Sequence, residues 1–467
     1  MNLYADAPTA YGQHHLSLVH GWLPLTVQAV SAAVLVIAIG RRDRRWQRIW
    51  LPICTAVGVT LAAAVYWYMQ SEGLSGGEPA PNILWIWTAA TGAAAAVVVV
   101  GWRGARWWRR GVSVLALPLS MLCAALALNL WVGYFPTVQS AWNELTAGPL
   151  PDQTDQATVV AMQKARQIPA KGSVIPVTIN SAASGFKHRD ELVYVPPAWF
   201  ASNPPPRLPT LMMIGGEFNN PADWLRAGNA ITTVDEYAAA HHGNAPVLVF
   251  VDSGGAFNTD TECVNGVRGN SADHLTKDVV PFMESTYGVS ADPANWGVVG
   301  WSMGGTCAVD LTVMHPDQFT SFEDIAGDIA PNTGTKEQTI ARLFGGNAAA
   351  YASFEPATVI TRHGPYAGIA GWFDVNGTGV PPSFQAAANS RPSDQTAAAN
   401  SLCALGKTNG IDCAVVAQPG KHDWPFAESA FVAALPWLAW HVGTPDAEPV
   451  SLPRAVRSST TIQAAAR

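Results

Sequence analysis

Residues 296–316 read WGVVGWSMGGTCAVDLTVMHP and carry the strongest signal for the fold. Its first residues are apolar and predict a short buried strand, whereas its second half predicts a helix. Between them, residues 300–304 match the pattern G-x-S-x-G, in which a sharp turn displays a nucleophilic serine above a sheet. Glycines such as Gly304 and Gly305 fit the close backbone contacts of that turn. We therefore predict Ser302 as the nucleophile; the alternative is a glycine-rich turn with an incidental serine.

A serine hydroxyl needs a neighbouring base to remove its proton during attack. In this kind of site the base follows the serine and the acid along the chain, after the last strand. His422 occupies that position, because AQPGKHDWPF follows the apolar run DCAVVAQ and precedes an apolar closing helix. His422 is the predicted general base.

The acid that orients the imidazole has two candidates. Asp374 ends the apolar run YAGIAGWF, where the penultimate strand should finish, and Asp394 in RPSDQTAAANSL is its rival. Asp423, adjacent to the histidine, is expected to point away. A calcium loop at DVNGTGVPPSFQ is disfavoured because Gln385 stands where an EF-hand needs its bidentate Glu. We predict Asp374 as the acid, and neither a metal nor a cofactor.

An oxyanion formed at this site needs backbone N–H donors. Met303, next to the nucleophile, is the first predicted donor. The second is expected in the loop GGEFNN after the strand TLMMI, with Glu217 preferred and Gly216 as the alternative.

Short apolar strands alternate with helical segments from residue 171 to residue 442. This order predicts a mostly parallel sheet covered by helices on both faces, as in the α/β-hydrolase fold. The predicted strands are VIPVTIN, ELVYVPPAWF, TLMMIGG, PVLVFVDSGG, WGVVGWS, YAGIAGWFDVNG and DCAVVAQPG; the predicted helices include DEYAAAHHG, SADHLTKDVVPFMEST, TCAVDLTVMHP, DQTAAANSLCALG and ESAFVAALPWLAWHV.

The region 1–135 has a different composition, dominated by Ala, Val, Leu, Ile and Trp. It contains four apolar stretches near the roughly 20 residues that a helix needs to cross a bilayer. A signal peptide would supply only one short apolar run after a basic start. We predict a four-helix transmembrane anchor, a linker at 136–170 and a disordered tail at 443–467. The predicted spans are about 17–39, 50–69, 83–102 and 111–135.

Arginines predict the orientation of these helices. RRDRRWQR at 41–48 and RGARWWRR at 103–110 are basic, whereas the loop at 71–82 has two Glu and no base. By the positive-inside rule the two basic loops are cytoplasmic, so the large domain lies on the extracytoplasmic side. The formal net charge of −7 argues against a nucleic-acid partner.

Cysteine positions agree with that orientation. Cys54 and Cys123 fall inside apolar spans, which leaves four cysteines in the outer domain. An even number in an oxidising compartment predicts two disulfides, although buried free thiols are an alternative. Cys403 and Cys413 lie near a helix end and the next strand, so they are the first predicted pair, and Cys263 with Cys307 follows by elimination.

From about residue 172 to residue 442 the chain resembles the esterase D and antigen 85 mycolyltransferase group. The resemblance implies that Ser302 and His422 are the nucleophile and base, and that the loop around Glu217 supplies an oxyanion donor. Antigen 85 proteins place a Glu shortly after NGT, whereas this chain reads NGTGVP, so Asp374 is not a matched position. The motifs that carry the resemblance are LMMIGGEFNNPADW, GWSMGG, HPDQF, VNGT and PGKHDWPF.

The anchored arrangement resembles actinobacterial membrane proteins with an outward esterase domain. This implies a membrane-anchored serine esterase acting on an ester or acyl-lipid substrate of the cell envelope. An acyltransferase with a sugar or lipid hydroxyl as acceptor is the first alternative. A non-catalytic envelope-binding module with the same fold is the second, and a lipid-handling role of the four-helix region is the third.

Overall fold

The computed structural model describes residues 16–40, 43–72, 80–102, 105–146, 150–256, 259–377 and 394–453. The chain divides into two compact units, Met1–Pro149 and Leu150–Arg467, and the division falls inside the segment predicted as a linker. Of the predicted tail, residues 454–467 lie outside the described residues.

The first unit contains four helices that are long and apolar enough to cross a membrane. Two of them begin about four residues earlier than predicted, so Arg48, Arg109 and Arg110 lie in helical turns rather than in loops. The helices of this unit are α1 (Trp22–Ile39), α2 (Leu51–Glu72, preceded by a π-helical turn at Trp46–Trp50), α3 (Asn82–Gly101), α4 (Trp107–Val132) and α5 (Val138–Leu145).

Small residues let α2 and α3 pack closely. A Cβ atom added at Gly58 would lie 2.1 Å from the carbonyl oxygen of Ala89, and one added at Gly92 would lie 2.9 Å from the Cα of Gly58. Such close backbone approach is a common way for helices to associate in membranes, where van der Waals packing replaces the hydrophobic effect.

The second unit is built on an eight-stranded sheet in the order β1-β2-β4-β3-β7-β8-β9-β10, which confirms the predicted α/β-hydrolase fold. β2 pairs antiparallel with both β1 and β4, whereas the other neighbours are parallel. The strands, with a two-stranded hairpin β5-β6, are β1 (Ser173–Val177), β2 (Glu191–Val195), β3 (Thr210–Ile214), β4 (Val247–Val251), β5 (Asn265–Gly266), β6 (Gly269–Asn270), β7 (Trp296–Trp301), β8 (Ser321–Ile325), β9 (Ala370–Asn376) and β10 (Asp412–Gln418).

Helices connect the parallel strands. The helix after the serine and the closing helix both occur where they were predicted. The helices are α6 (Gln156–Ala165), α7 (Asp223–Arg226), α8 (Ala230–Ala240), α9 (Ser271–Asp273, continued by a π-helical segment His274–Val279), α10 (Val280–Tyr287), α11 (Met303–Met314), α12 (Lys336–Phe344), α13 (Ala348–Ala352), α14 (Pro356–His363), α15 (Gln395–Thr408) and α16 (Trp424–His441).

Strand β8 is the strand of the large sheet that was not predicted. Its sequence SFEDI has two adjacent carboxylic acids, which normally argue against a buried central strand. Nevertheless, Glu323 and Asp324 are almost fully buried between β7 and β9. Burial raises the pKa of Glu323 well above its usual value and that of Asp324 to about 8, so both are predominantly protonated at neutral pH.

These carboxyl groups predict an unusual pH dependence of stability. Burial raises the folded-state pKa of Asp324 to about 8 and that of Asp374 to about 7, so both keep protons that the unfolded chain releases above about pH 4. The unfolding free energy should therefore fall as pH rises from about 5 to 8. Urea titrations of the detergent-solubilised protein across this range would measure it. Asp324→Asn should flatten the slope, and a free energy that increases with pH would contradict this reasoning.

Two disulfides cross-link the second unit, as predicted. Cys263 pairs with Cys307 and Cys403 pairs with Cys413. The first disulfide ties the segment before β5 to the second turn of α11, close in sequence to Ser302. The second joins the C-terminal half of α15 to β10.

The longer cross-link should contribute more to stability. The separations are 44 residues for Cys263–Cys307 and 10 for Cys403–Cys413. Loop-closure entropy then gives about 4 and about 3 kcal/mol, respectively. We expect a double serine variant of the first pair to unfold at lower urea concentration than that of the second. Equal losses, or a larger loss for the short loop, would refute the entropic account.

Candidate active site

Ser302 lies on the sharp turn between β7 and α11. Its backbone has φ 59° and ψ −119°, a left-handed conformation that is costly for a residue with a side chain. The Ser302 amide donates to the carbonyl oxygen of Ile325 at 2.9 Å, which attaches the turn to the end of β8. The sequence pattern thus corresponds to a strained turn at the carboxyl edge of the sheet.

Glycines allow this turn because no side chain would fit. A Cβ added at Gly300 would lie 1.7 Å from the carbonyl oxygen of Gly304. One added at Gly304 would lie 2.3 Å from the carbonyl oxygen of Ile214 in β3. The start of α11 therefore packs directly against the backbone of the two central strands.

The structure brings His422 to the serine. The imidazole Nε2 lies 2.9 Å from the Ser302 Oγ, although 120 residues separate them in sequence. His422 is in the turn between β10 and α16, where the next residue, Asp423, caps the helix by accepting a hydrogen bond from the Phe426 amide. The ring of Trp301 packs against the imidazole at 4.3 Å between centroids.

The surroundings of His422 favour its neutral form. Burial lowers the pKa of His422 to about 4 because the charged imidazolium loses its hydration. At neutral pH the imidazole is therefore uncharged and can accept a proton. In contact with the Ser302 hydroxyl, this is the state that a general base requires.

Among the described residues, no hydrogen bond joins either candidate acid to His422, so Asp374 as the acid stays a prediction. Asp374 lies within β9, accepts a hydrogen bond from Gln418 Nε2 at 2.7 Å and shares a carboxyl contact with Glu323. Asp394 is exposed and caps α15, accepting from the Ala397 amide at 3.1 Å. Asp374 lies two residues before the end of β9, and its carboxyl group contacts Gln418 and Glu323 on the two neighbouring strands.

Gln395 occupies the place expected for the acid. Its amide nitrogen lies 3.1 Å from the Nδ1 of His422. Sequence reasoning missed this residue because an uncharged amide is not a usual triad member. One sequence feature could have indicated an uncharged residue here. Between Asn376 and Asp394 the sequence contains no Asp or Glu that could act as the acid.

The loop that contains the second predicted oxyanion donor approaches the serine, and the first predicted donor follows it directly in sequence. Met303 is the first residue of α11, so its amide is at a helix N-terminus. In the loop after β3, a Cβ added at Gly216 would lie 3.3 Å from the Ser302 Cβ. The Gly216 amide donates to Asn219 Oδ1 at 2.8 Å, and Glu217, the next residue of this loop, stays the predicted second donor.

Comparison with known proteins agrees with this geometry. The sequence model of the Esterase family matches residues 187–438, more than half of the chain. This chain belongs to the Esterase family. An uncharacterized protein of Corynebacterium glutamicum is 29% identical over 362 residues, covering 75% of this chain and 82% of the relative. The MPT51 antigen of Mycobacterium leprae is 28% identical over 137 residues, covering 27% of this chain and 42% of the antigen.

Among solved structures, a ferulic acid esterase matches with 17% identity and a TM-score of 0.44, covering 57% of this chain and 98% of that protein. The predicted resemblance to esterases and antigen 85-like proteins is confirmed by the family match and the mycobacterial relative.

An ion pair supports the loop after β3 in this Esterase-family chain. Arg189 binds Asp252 through two hydrogen bonds of 3.0 Å and 2.7 Å, and its Nη2 also donates to the carbonyl oxygen of Asn219 at 2.7 Å. Burial of Asp252 raises its pKa, but the hydrogen bonds and charge of Arg189 outweigh this effect, so the pKa of Asp252 is lowered. The Asn219 side-chain oxygen accepts a hydrogen bond from the Gly216 amide. Through Asn219 the ion pair therefore holds the loop that approaches Ser302.

One group of side chains has the composition of a metal site. His188, Glu191 and His274 place ligand atoms within 4.8 Å of one another. However, the two ring nitrogens of His188 face the carbonyl oxygens of Arg189 and Ile179, each at 2.8 Å. These contacts occupy both ring nitrogens of His188, so neither is available to a metal. The group is better described as a cluster of histidines and a carboxylate.

Proposed function

We propose that the protein is a membrane-anchored serine esterase that cleaves an ester or acyl-lipid substrate of the cell envelope through an acyl-enzyme. The observation that carries the proposal is the 2.9 Å contact between His422 Nε2 and Ser302 Oγ at a strained strand-to-helix turn. Membership of the Esterase family supports ester chemistry.

In the first step, the Ser302 Oγ attacks the ester carbonyl carbon while its proton passes to His422 Nε2. The carbonyl oxygen becomes an oxyanion, which the Met303 and Glu217 amides would stabilise. The bond to the leaving alkoxy group then breaks as His422 returns the proton to that oxygen. The products are a free alcohol and an acyl group bonded to Ser302.

In the second step, water attacks the acyl carbon and gives one proton to His422. Collapse of the new intermediate releases the carboxylic acid and returns the proton to Ser302. A sugar or lipid hydroxyl in place of water would give acyl transfer by the same sequence. Neither route needs a metal or a cofactor.

The apolar helices and the arginines support a cell-membrane location with the catalytic unit outside. Four helices have the length and hydropathy to span a bilayer. Arginines cluster before α2 and at the start of α4, ends that share one side of the membrane if each helix crosses it. Both disulfides of the second unit agree with an oxidising exterior. The described arginines of the two clusters are Arg44, Arg45, Arg48, Arg106, Arg109 and Arg110.

A fluorophosphonate probe tests the proposal directly. The full-length protein in detergent should form one covalent adduct, mapped by mass spectrometry to Ser302, and should hydrolyse p-nitrophenyl acyl esters. Pretreatment with the probe should abolish that hydrolysis. The esterase proposal would be refuted by a folded protein that does not react with the probe and hydrolyses no p-nitrophenyl ester of any acyl chain length tested.

One observation favours the non-catalytic binding module as the second candidate. The described hydrogen-bond partner of His422 Nδ1 is an amide rather than a carboxylate, so the imidazolium would lack a compensating negative charge. If no probe labelling occurs, retained binding of envelope lipid vesicles by the intact protein would support this candidate.

A further inference from the structure

The contacts of His422 define what its two nitrogens can do. Nε2 faces the Ser302 hydroxyl at 2.9 Å, and Nδ1 faces the side-chain amide of Gln395 at 3.1 Å. Gln395 is the first residue of α15, directly after the capping Asp394, so the helix start fixes its backbone. The imidazole is thus held between one hydroxyl and one neutral amide.

The amide can select the tautomer of the imidazole. For Nε2 to take the serine proton, Nδ1 must carry a proton and needs an acceptor. Rotating the Gln395 amide by 180° exchanges its nitrogen for its oxygen with little change in shape, and the oxygen then accepts the Nδ1 proton. With the nitrogen towards Nδ1, the imidazole proton sits instead on Nε2, and His422 cannot act as base.

Other charged groups around His422 are engaged elsewhere. Asp374 binds Gln418 and Glu323. Asp394 and Asp423 each cap a helix through backbone amides, and the Lys421 side chain is on an exposed residue. Consistent with this, burial alone accounts for the lowered pKa of His422, with no described charge opposing it.

We propose that Gln395 takes the place of the triad acid as the positioning residue that holds His422 in the productive tautomer through its amide oxygen, without supplying negative charge. This inference rests on the proposed esterase activity. An imidazolium formed during attack is then stabilised at Nδ1 by an amide dipole rather than by a carboxylate, so acylation is slower than with a carboxylate at the same position.

The decisive variant is Gln395→Glu, which keeps the side-chain length and adds the charge. We expect kcat to rise at least about tenfold, since exchanging the carboxylate for an amide in a full triad costs about 10⁴-fold by favouring the wrong tautomer. We also expect the acid limb of the kcat/KM profile, near pH 4 in the native protein, to move to higher pH because the carboxylate stabilises the imidazolium. Gln395→Ala should lower kcat at least about tenfold with little change in KM.

Asn400→Asp is the matched control. It adds a carboxylate to the same helix, but the Asn400 side chain donates to the carbonyl oxygen of Thr396 rather than meeting the imidazole. Its kcat and pH profile should equal those of the native protein. The assays use the full-length protein in detergent, with folding of each variant checked by circular dichroism.

Two results would overturn the proposal. The first is an active native protein in which the Glu and Ala variants of Gln395 leave both kcat and the pH profile unchanged. The second is a fall in kcat with a shifted profile in Asp374→Asn but not in Gln395→Ala, which would make Asp374 the acid. Failure of the esterase itself is distinguishable, because the native protein would then neither react with fluorophosphonate nor hydrolyse esters.

Discussion

Replacing Ser302 with alanine is expected to lower kcat on the order of 10⁵-fold, the largest effect of any single substitution proposed for this protein. The hydroxyl forms the bond to the acyl carbon, and loss of the nucleophilic serine from a triad enzyme costs about 10⁶-fold. The expected loss is smaller here because the native site holds an amide at Nδ1 and starts from a lower rate. Hydrolysis of a p-nitrophenyl ester, corrected for spontaneous hydrolysis, measures it.

Ser353→Ala provides the control for this experiment. Ser353 is an exposed serine whose hydroxyl donates to the carbonyl oxygen of Ala350, so its loss should leave hydrolysis and probe labelling intact. If Ser302→Ala kept more than about one hundredth of the native rate, a different group would have to be the nucleophile.

Replacing His422 with alanine should lower kcat by about 10³-fold or more. The serine would lose its proton acceptor, and the remaining rate would come from oxyanion stabilisation and substrate binding. The acid limb of the pH profile should also disappear, because the group that titrates near pH 4 is gone. Steady-state rates between pH 4 and pH 8 test both expectations.

His363→Ala is the comparison for His422, since His363 is an exposed histidine that stacks on Tyr366 at 4.7 Å. It should hydrolyse esters at the native rate. Retention of the acid limb in His422→Ala would show that another group controls proton transfer.

The contact between Ser302 and His422 could be predicted because its two signals are a short motif and the order of elements along the chain. The turn around Ser302 needs glycines at fixed positions, and the structure shows the close backbone contacts that require them. His422 follows from chain order in the fold, since the turn after the last parallel strand returns to the same sheet edge.

The acid position could not be predicted because it depends on where a strand ends and on what a carboxyl group meets. Asp374 was expected at the end of its strand, but β9 continues to Asn376 and Asp374 faces Glu323 of the neighbouring strand. Strand β8 was missed for the same reason. Its acids are tolerated because burial keeps them protonated, and no sequence pattern reveals that state.

The helix ends in the first unit were also harder to place than the helices themselves. Hydropathy marks the apolar core of a span, whereas helical geometry continues into flanking arginines such as Arg48 and Arg109. Long basic side chains can stay in a helix while their charged ends extend to the interface. Composition therefore predicts where each apolar span lies but not the residue at which its helix begins.

The cross-link between Cys263 and Cys307 has a practical consequence for producing the enzyme. Cys307 sits in the helix that carries the nucleophilic turn, so oxidation fixes the neighbouring segment against that helix. In a host cytosol, thioredoxin and glutathione would keep these thiols reduced and leave the catalytic unit immature. Recombinant protein should therefore gain full activity only after export, or after refolding with a thiol–disulfide buffer.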